Sequence, residues 1–255
     1  MRSEALGHGA LIPQWSAGPR VGALMSTRAG GVSKDPWQSL NLGTAVGDVA
    51  AAVAENRRRF EAAIGVPAVY LRQVHGSHVL RLRAADAGRT LDEAADAAIA
   101  TEPGIACTVQ VADCLPVLFA APQGRGVGAA HAGWRSLAGG VLEAAVRALC
   151  DATACAPHEI QAWLGPCIGP RQFEVGADVV EAFAGARHFV PRRHADGSMR
   201  WLADLPGLAR ERLLALGLTQ VTGGEWCTVE DPLRFFSFRR DGVTGRMAAA
   251  VWLRG

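Results

Sequence analysis

No stretch of this 255-residue chain approaches the 18 or more consecutive apolar residues that a bilayer-crossing helix requires, although 49% of its residues are hydrophobic. The opening MRSEALGHGALIPQW also lacks an apolar core of signal-peptide length. A cytoplasmic protein without a membrane partner is therefore the expectation. An excess of one charge is missing too, since 26 basic and 24 acidic residues leave a formal net charge of +2. That balance argues against a general nucleic-acid surface and directs attention to a pocket. There is no internal repeat, low-complexity tract or linker, so one domain spanning residues 1–255 is the economical expectation. The four methionines, Met1, Met25, Met199 and Met247, are scattered, with no axial-ligand pattern beside a His/Cys pair. The six cysteines, Cys107, Cys114, Cys150, Cys155, Cys167 and Cys227, include no zinc-ribbon or thioredoxin spacing, and a reducing compartment would keep them as thiols.

What is present is a series of short apolar runs. Residues 20–27, 68–74, 79–82, 105–111, 115–120, 126–130, 160–164 and 247–253 read as strands, several of them rich in Val, Ile and Leu and broken by Gly or Pro. Helical spacing covers residues 49–64, stopped by Gly65 and Pro67, and residues 137–150, whose start is weakened by Gly139 and Gly140. Further helices are expected at 177–186 and at 205–216, the latter opened by Asp204 and Pro206. Residues 191–200 suggest a hairpin or surface loop, in which His194, like nearby His188, is an exposed histidine more often than a ligand. Residues 235–238 read as a strand followed by a tight turn at Arg239–Gly242.

Three metal-capable side chains stand at or near the ends of these runs: His75, Cys114 and His131. Two imidazoles and a thiolate form a zinc-compatible set with one coordination position open, and an open position is where zinc makes a water acidic. Their separations, 39 positions from 75 to 114 and 17 from 114 to 131, match no short metal pattern. The same atoms also permit a metal-free cysteine hydrolase, with Cys114 as nucleophile, His131 as base and Asp113 or an amide as orienter. Around them, Arg28 precedes Gly30 and Gly31, a pair able to turn sharply and offer amides to an anion, though a plain turn explains it equally. Arg135 stands just before a helix start, where free amides also favour anions. Asn41 is able to hydrogen-bond a ligand or its own turn.

Seven segments, in order along nearly the whole chain, resemble one family: STRAGGVS at 26–33, SLNLG at 39–43, RQVHG at 72–76, ADCLPV at 112–117, AHAGWR at 130–135, GPCIGPRQFEVG at 165–176 and FFSFRRDGVTGR at 235–246. These are the marks of the YfiH/YlmD-like proteins, long labelled polyphenol oxidoreductases or laccases. The resemblance implies an α+β fold, a mixed β-sandwich flanked by helices and grouped with cytotoxic-necrotizing-factor-like cysteine hydrolases. It implies a zinc site at His75, Cys114 and His131. The implied activity is phosphorolysis of adenosine, inosine, guanosine and 5′-methylthioadenosine, together with adenosine deamination, so the partners are a purine nucleoside and inorganic phosphate. Arg28 and Arg135 are then the candidates for phosphate, Asp113 the candidate proton carrier, and Asn41 and Gln73, which lie in matching motifs, further candidates for contact with substrate. The older label implies copper-dependent phenol oxidation as the alternative. The oligomeric state is left open, a monomer included.

Overall fold

The computed structural model describes residues 9–184 and 187–255. Two mixed sheets face each other. The first has five strands in the order β1 (Val21–Met25), β14 (Met247–Leu253), β6 (Ala106–Val111), β2 (Ala68–Arg72) and β4 (Thr90–Ala94). The second has six, in the order β13 (Gln220–Gly223), β9 (Gln161–Leu164), β7 (Leu115–Ala120), β8 (Val127–Ala132), β5 (Ala97–Ala100) and β3 (Val79–Leu82). In the first, β14 is antiparallel to β1 and β6, while β6, β2 and β4 are parallel. In the second, the four central strands are antiparallel, and β13 and β3 add in parallel at the edges.

The central strands are apolar on both faces because both faces are covered. Val109, Val111, Ala249 and Val251 of the first sheet meet Leu118, Ala129 and Trp163 of the second in the inter-sheet core. The alternate residues of β14, Ala248, Ala250 and Trp252, point outward onto Phe60 and Ile64 of α1 (Ala50–Ile64). On the far side, Val117, Phe119, Ala130 and Leu164 lie under α3 (Val141–Thr153) and α5 (Leu205–Ala215). Period-2 alternation thus distributes side chains between two apolar environments, which explains strand sequences that read as continuous runs. This is the α+β sandwich with flanking helices that the motifs implied.

Several elements differ from the sequence expectation. The helix expected at 137–150 is two helices, α2 (Trp134–Ala138) and α3, because Gly140 takes a left-handed φ of 86° between them. The strand expected at 235–238 is absent. Phe235 and Phe236 are buried in a loop, and the chain then turns into α6 (Phe238–Asp241), whose N-cap Ser237 accepts from the Arg240 amide at 3.2 Å. Strands β4 and β5 carried no recognisable signal, being a mostly exposed TLDEA and an all-small AAIA. The 191–200 segment does form a hairpin of β11 (Phe189–Arg193) and β12 (Met199–Ala203), joined by β10 (Glu174–Val175). The helix expected at 177–186 is α4 (Ala177–Ala182), with residues 185–186 outside the described residues, as are residues 1–8 of the opening segment.

The chain passes from the first sheet to the second three times, between β2 and β3, between β4 and β5, and between β6 and β7. These crossings carry His75, Asp96 and Cys114 respectively.

Phe60 is the largest apolar side chain that α1 buries, with no solvent exposure. Phe60→Ala should cost about 3–5 kcal/mol of unfolding free energy. Chemical denaturation of the variant against the parent chain checks it.

Candidate metal centre

Each donor is placed by the ladder around it. In the β7–β8 pair, Leu115 faces Ala132 and Pro116 faces His131, so Cys114 emerges one step before β7 beside the end of β8. His131 belongs to β8, and its amide donates to the Asp96 carbonyl at 2.7 Å just where β5 begins. His75 sits in the β2–β3 crossing with φ 62°, a left-handed turn that swings its ring toward the other two. The result is one group: the donor atoms of His75, Cys114 and His131 all lie within 4.8 Å of one another. Cys114 Sγ is 3.6 Å from His75 Nε2, and the two imidazoles meet edge-on with centroids 4.8 Å apart. Gly133 has to be glycine here, since a Cβ would come within 2.8 Å of His75 Cδ2 and 2.9 Å of Cys114 Sγ.

The group is organised by Asp96, a residue whose role the sequence did not disclose. It is wholly buried, and its carboxylate accepts from the amides of Val74 (3.1 Å), His75 (2.9 Å) and Gly76 (2.6 Å). The same carboxylate lies 2.8 Å from His131 Nδ1, which leaves Nε2 of that ring for the site. Burial opposes ionisation of Asp96, yet the His131 hydrogen bond and the Gly76 and Val74 amides outweigh it and lower its pKa. Burial likewise disfavours a Cys114 thiolate, but the charge and hydrogen bonds of His131 and His75 bring its pKa down to about 6. Against its own desolvation, His131 is raised to about 9 by Cys114 and Asp96. Cys114 and His131 are therefore poised as thiolate and imidazolium in the metal-free protein.

Asp113 adjoins Cys114 with φ 88° and is turned away from the donor group. Its oxygens accept from Thr228 Oγ1 at 2.5 Å and from the Arg239 amide at 2.6 Å, and its carbonyl accepts from the Ile168 amide at 2.9 Å. It thus ties the β6–β7 crossing to the Cys167 loop and to α6. Arg28 donates to the carbonyls of Gln38 (2.9 Å) and Pro232 (3.0 Å), and its guanidinium lies over Phe236. Asn41 spends its amide on Gly43 and Asp48 while its oxygen accepts from the Gly43 and Arg246 amides. Gln73 exchanges two 2.8 Å hydrogen bonds with the backbone of Gln110. Arg135 is exposed in α2 and stacks on Trp134 at 4.2 Å. Cys167 is fully buried and its backbone pairs with that of Cys227 in an isolated parallel β-bridge, both side chains being free thiols beside the group and outside it. His188 and His194 pair with Glu211 and Glu174 on the surface.

Does this donor set fit zinc? Bond lengths of about 2.0–2.3 Å in a tetrahedron put ligand atoms roughly 3.3–3.8 Å apart. The 3.6 Å contact between Cys114 and His75 is in that range, the thiol is acidic, and the Asp96–His131 pair is the carboxylate–histidine arrangement that orients zinc-binding imidazoles. The residues fit, with three protein donors and a fourth position left over.

Fold and site together define a metal-capable α+β sandwich enzyme. A family model described as multi-copper polyphenol oxidoreductase laccase matches residues 22–254. A purine nucleoside phosphorylase of Pseudomonas aeruginosa is 48% identical over 249 residues, covering 96% of this chain and 98% of the relative. The purine nucleoside phosphorylase YfiH of Escherichia coli is 46% identical over 245 residues, covering 95% and 98%. The crystal structure of YlmD from Geobacillus stearothermophilus superposes with a TM-score of 0.89 at 33% identity, over 98% of this chain and 97% of that one. The chain belongs to the YfiH-like family.

Two outcomes follow from the geometry. Asp96→Asn keeps the shape but weakens the hold on His131 and the His75 turn, and should lower zinc affinity about 10–100-fold in a chelator competition. In the metal-free protein, Cys114 should alkylate with a midpoint near pH 6, reacting faster above it as thiolate forms, and zinc should protect it.

Proposed function

We propose that this chain is a zinc-dependent purine nucleoside phosphorylase that also deaminates adenosine, carried out by one domain spanning the chain. The observation that supports it most is the three-donor group itself: a buried His131, a half-buried Cys114 and an exposed His75, open on one side. The name shared by the P. aeruginosa and E. coli relatives supplies the substrate class. Adenosine, inosine, guanosine and 5′-methylthioadenosine are the nucleosides, and inorganic phosphate is the second substrate.

When bound, zinc would supply a Lewis acid with one position open to solvent or substrate. The chain's own groups do the rest. Phosphorolysis breaks the bond from C1′ to the base and forms one from C1′ to a phosphate oxygen, so a cation must hold the phosphate beside the ribose. Arg135, exposed next to the β8 end and without a carboxylate partner among the described residues, is suited to approach it. Deamination exchanges the 6-amino group of adenine for oxygen from water, releasing ammonia. Asp113, through Thr228 and the Arg239 amide, fixes where Cys114 points, while Arg28, Asn41 and Gln73 hold the surrounding loops in shape. Zinc suits this donor set better than copper does. A multi-copper oxidase needs several metal groups, and the described residues contain one cluster of three such donors. No helix among the described residues is long and apolar enough to cross a membrane, consistent with a cytoplasmic enzyme.

A metal-free cysteine hydrolase is the competing reading, favoured by the acidic Cys114 thiol beside His131. One assay separates them. Zinc-loaded protein should release adenine from adenosine only with phosphate, and inosine without it, with about one zinc per chain by elemental analysis. His75→Ala and chelation should each reduce both products by about 100-fold or more. Activity that survives chelation, or no product from zinc-loaded protein, overturns the proposal.

A further inference from the structure

Arg246 closes the segment FFSFRRDGVTGR. It precedes β14, and continuing the β14–β6 register one step beyond Met247 and Val111 puts it opposite Ala112, two residues before Cys114. Its backbone is clamped on both sides: the amide donates to Asn41 Oδ1 at 2.8 Å, and the carbonyl accepts from the Leu42 amide at 3.0 Å. The side-chain stem is fixed as well, because it lies against Gly43, where a Cβ would come within 2.7 Å of Arg246 Cγ.

The guanidinium at the end of this rigid mount is incompletely satisfied. Nη1 donates to the carbonyls of Thr244 (3.2 Å) and Gly245 (3.1 Å), while Nε and Nη2 have no protein acceptor among the described residues, and no carboxylate pairs with it. The neighbouring arginines of the same segment are engaged: Arg240 with Asp241 and three carbonyls, Arg239 with the carbonyls of Gln172 and Glu174. Burial of Arg246 pulls its pKa below the ordinary value, against the opposing pull of the negative charges of Cys114 and Asp113, so the guanidinium sits within the field of the donor group. A partly desolvated cation with no carboxylate in direct contact is costly, and part of the cost is recovered when an anion arrives. A second observation points the same way. Thr244 is buried at 2% exposure, and its Oγ1 has no hydrogen-bond partner. The aromatic ring of Phe238, 57% exposed, flanks the guanidinium with its centroid 6.0 Å away.

A free edge of a guanidinium, an unpartnered hydroxyl two residues away and a nearby aromatic face are complementary to a tetrahedral oxyanion carrying an organic neighbour. We propose that Arg246, assisted by the hydroxyl of Thr244, binds the inorganic phosphate of the phosphorolysis reaction beside His75, Cys114 and His131. This assignment rests on the phosphorylase reading and adds to the exposed Arg135 a second cation for the same phosphate, held on a fixed mount. It gives the geometry of Asn41 and Gly43 a purpose, since both hold Arg246 and neither needs to touch substrate.

The test uses zinc-loaded full-length protein, with Arg246→Gln, Arg246→Lys and Thr244→Val made separately and each checked for zinc content and thermal midpoint. Inorganic phosphate is titrated by calorimetry without nucleoside, and adenosine cleavage is followed as a function of phosphate. The expected result is a phosphate affinity and a KM for phosphate weakened on the order of 10–100-fold in Arg246→Gln, less in Arg246→Lys and several-fold in Thr244→Val, with zinc content and the KM for adenosine little changed. Phosphate-dependent cleavage in the parent chain with an unaltered KM for phosphate in Arg246→Gln overturns the assignment and leaves the phosphorylase reading standing. Should Arg246→Gln fail to fold, an unaltered phosphate affinity in both Arg246→Lys and Thr244→Val overturns it equally. A parent chain that binds phosphate through Arg246 yet cleaves no nucleoside supports the anion site and removes the phosphorylase reading; one that does neither removes both.

Discussion

The site depends on one carboxylate. Asp96 has no contact with solvent, and its two oxygens gather three successive amides from one crossing and an imidazole from a strand of the other sheet. A buried charge of this kind is tolerated only where hydrogen bonds replace the water it has lost. Here the replacement has a structural product: the amides of residues 74–76 converge on one point, and the left-handed turn at His75 is held against the intrinsic preference of a non-glycine residue. The same interaction fixes which nitrogen of His131 is available. Two of the three donors are thus set by a group that is not itself a donor.

Asp113 repeats the device on the other flank. Like His75 it has positive φ, and like Asp96 it collects hydrogen bonds from distant segments, with Thr228 and Arg239 more than a hundred positions away in sequence. Cys114 is therefore presented from a backbone that has been bent and then locked. The two aspartates lie at successive crossings between the sheets, so the polar interactions of the site accumulate at the edge where the inter-sheet core ends. The core itself needs no polar group to hold the layers together, because Leu118, Ala129 and Trp163 meet Val109, Ala249 and Val251 there in apolar contact.

Much of this was legible from residue order. The apolar runs at 105–111, 115–120 and 247–253 became strands β6, β7 and β14 within a residue, and the helix stop at Gly65 came from its left-handed φ of 76°. The three donors stood out because a thiol and two imidazoles interrupt apolar strands at Pro and Gly. Asp96 was hidden for the opposite reason: a lone acid before AAIA looks like a polar boundary, and only the fold shows four donors aimed at it. Arg246 was hidden in a segment with several arginines, where nothing local says which one lacks a partner. Strand β4 was missed because its TLDEA sequence faces solvent and owes its conformation to pairing with β2. The strand expected at 235–238 failed because aromatic residues there serve burial in a loop, and Ser237 begins a helix instead.

One consequence of the three crossings concerns mechanics. One imidazole hangs from a bridge spanning the two layers, the thiol from a second bridge, and the other imidazole from a strand fixed in one layer only. The bite of the donors is then a gauge of how the layers are spaced and slid against each other, roughly 10 Å apart in packed sheets. Anything that shifts that packing by a fraction of an ångström is transmitted to the jaws of the site without touching a ligand, and an ion gripped there would in turn rivet the layers together.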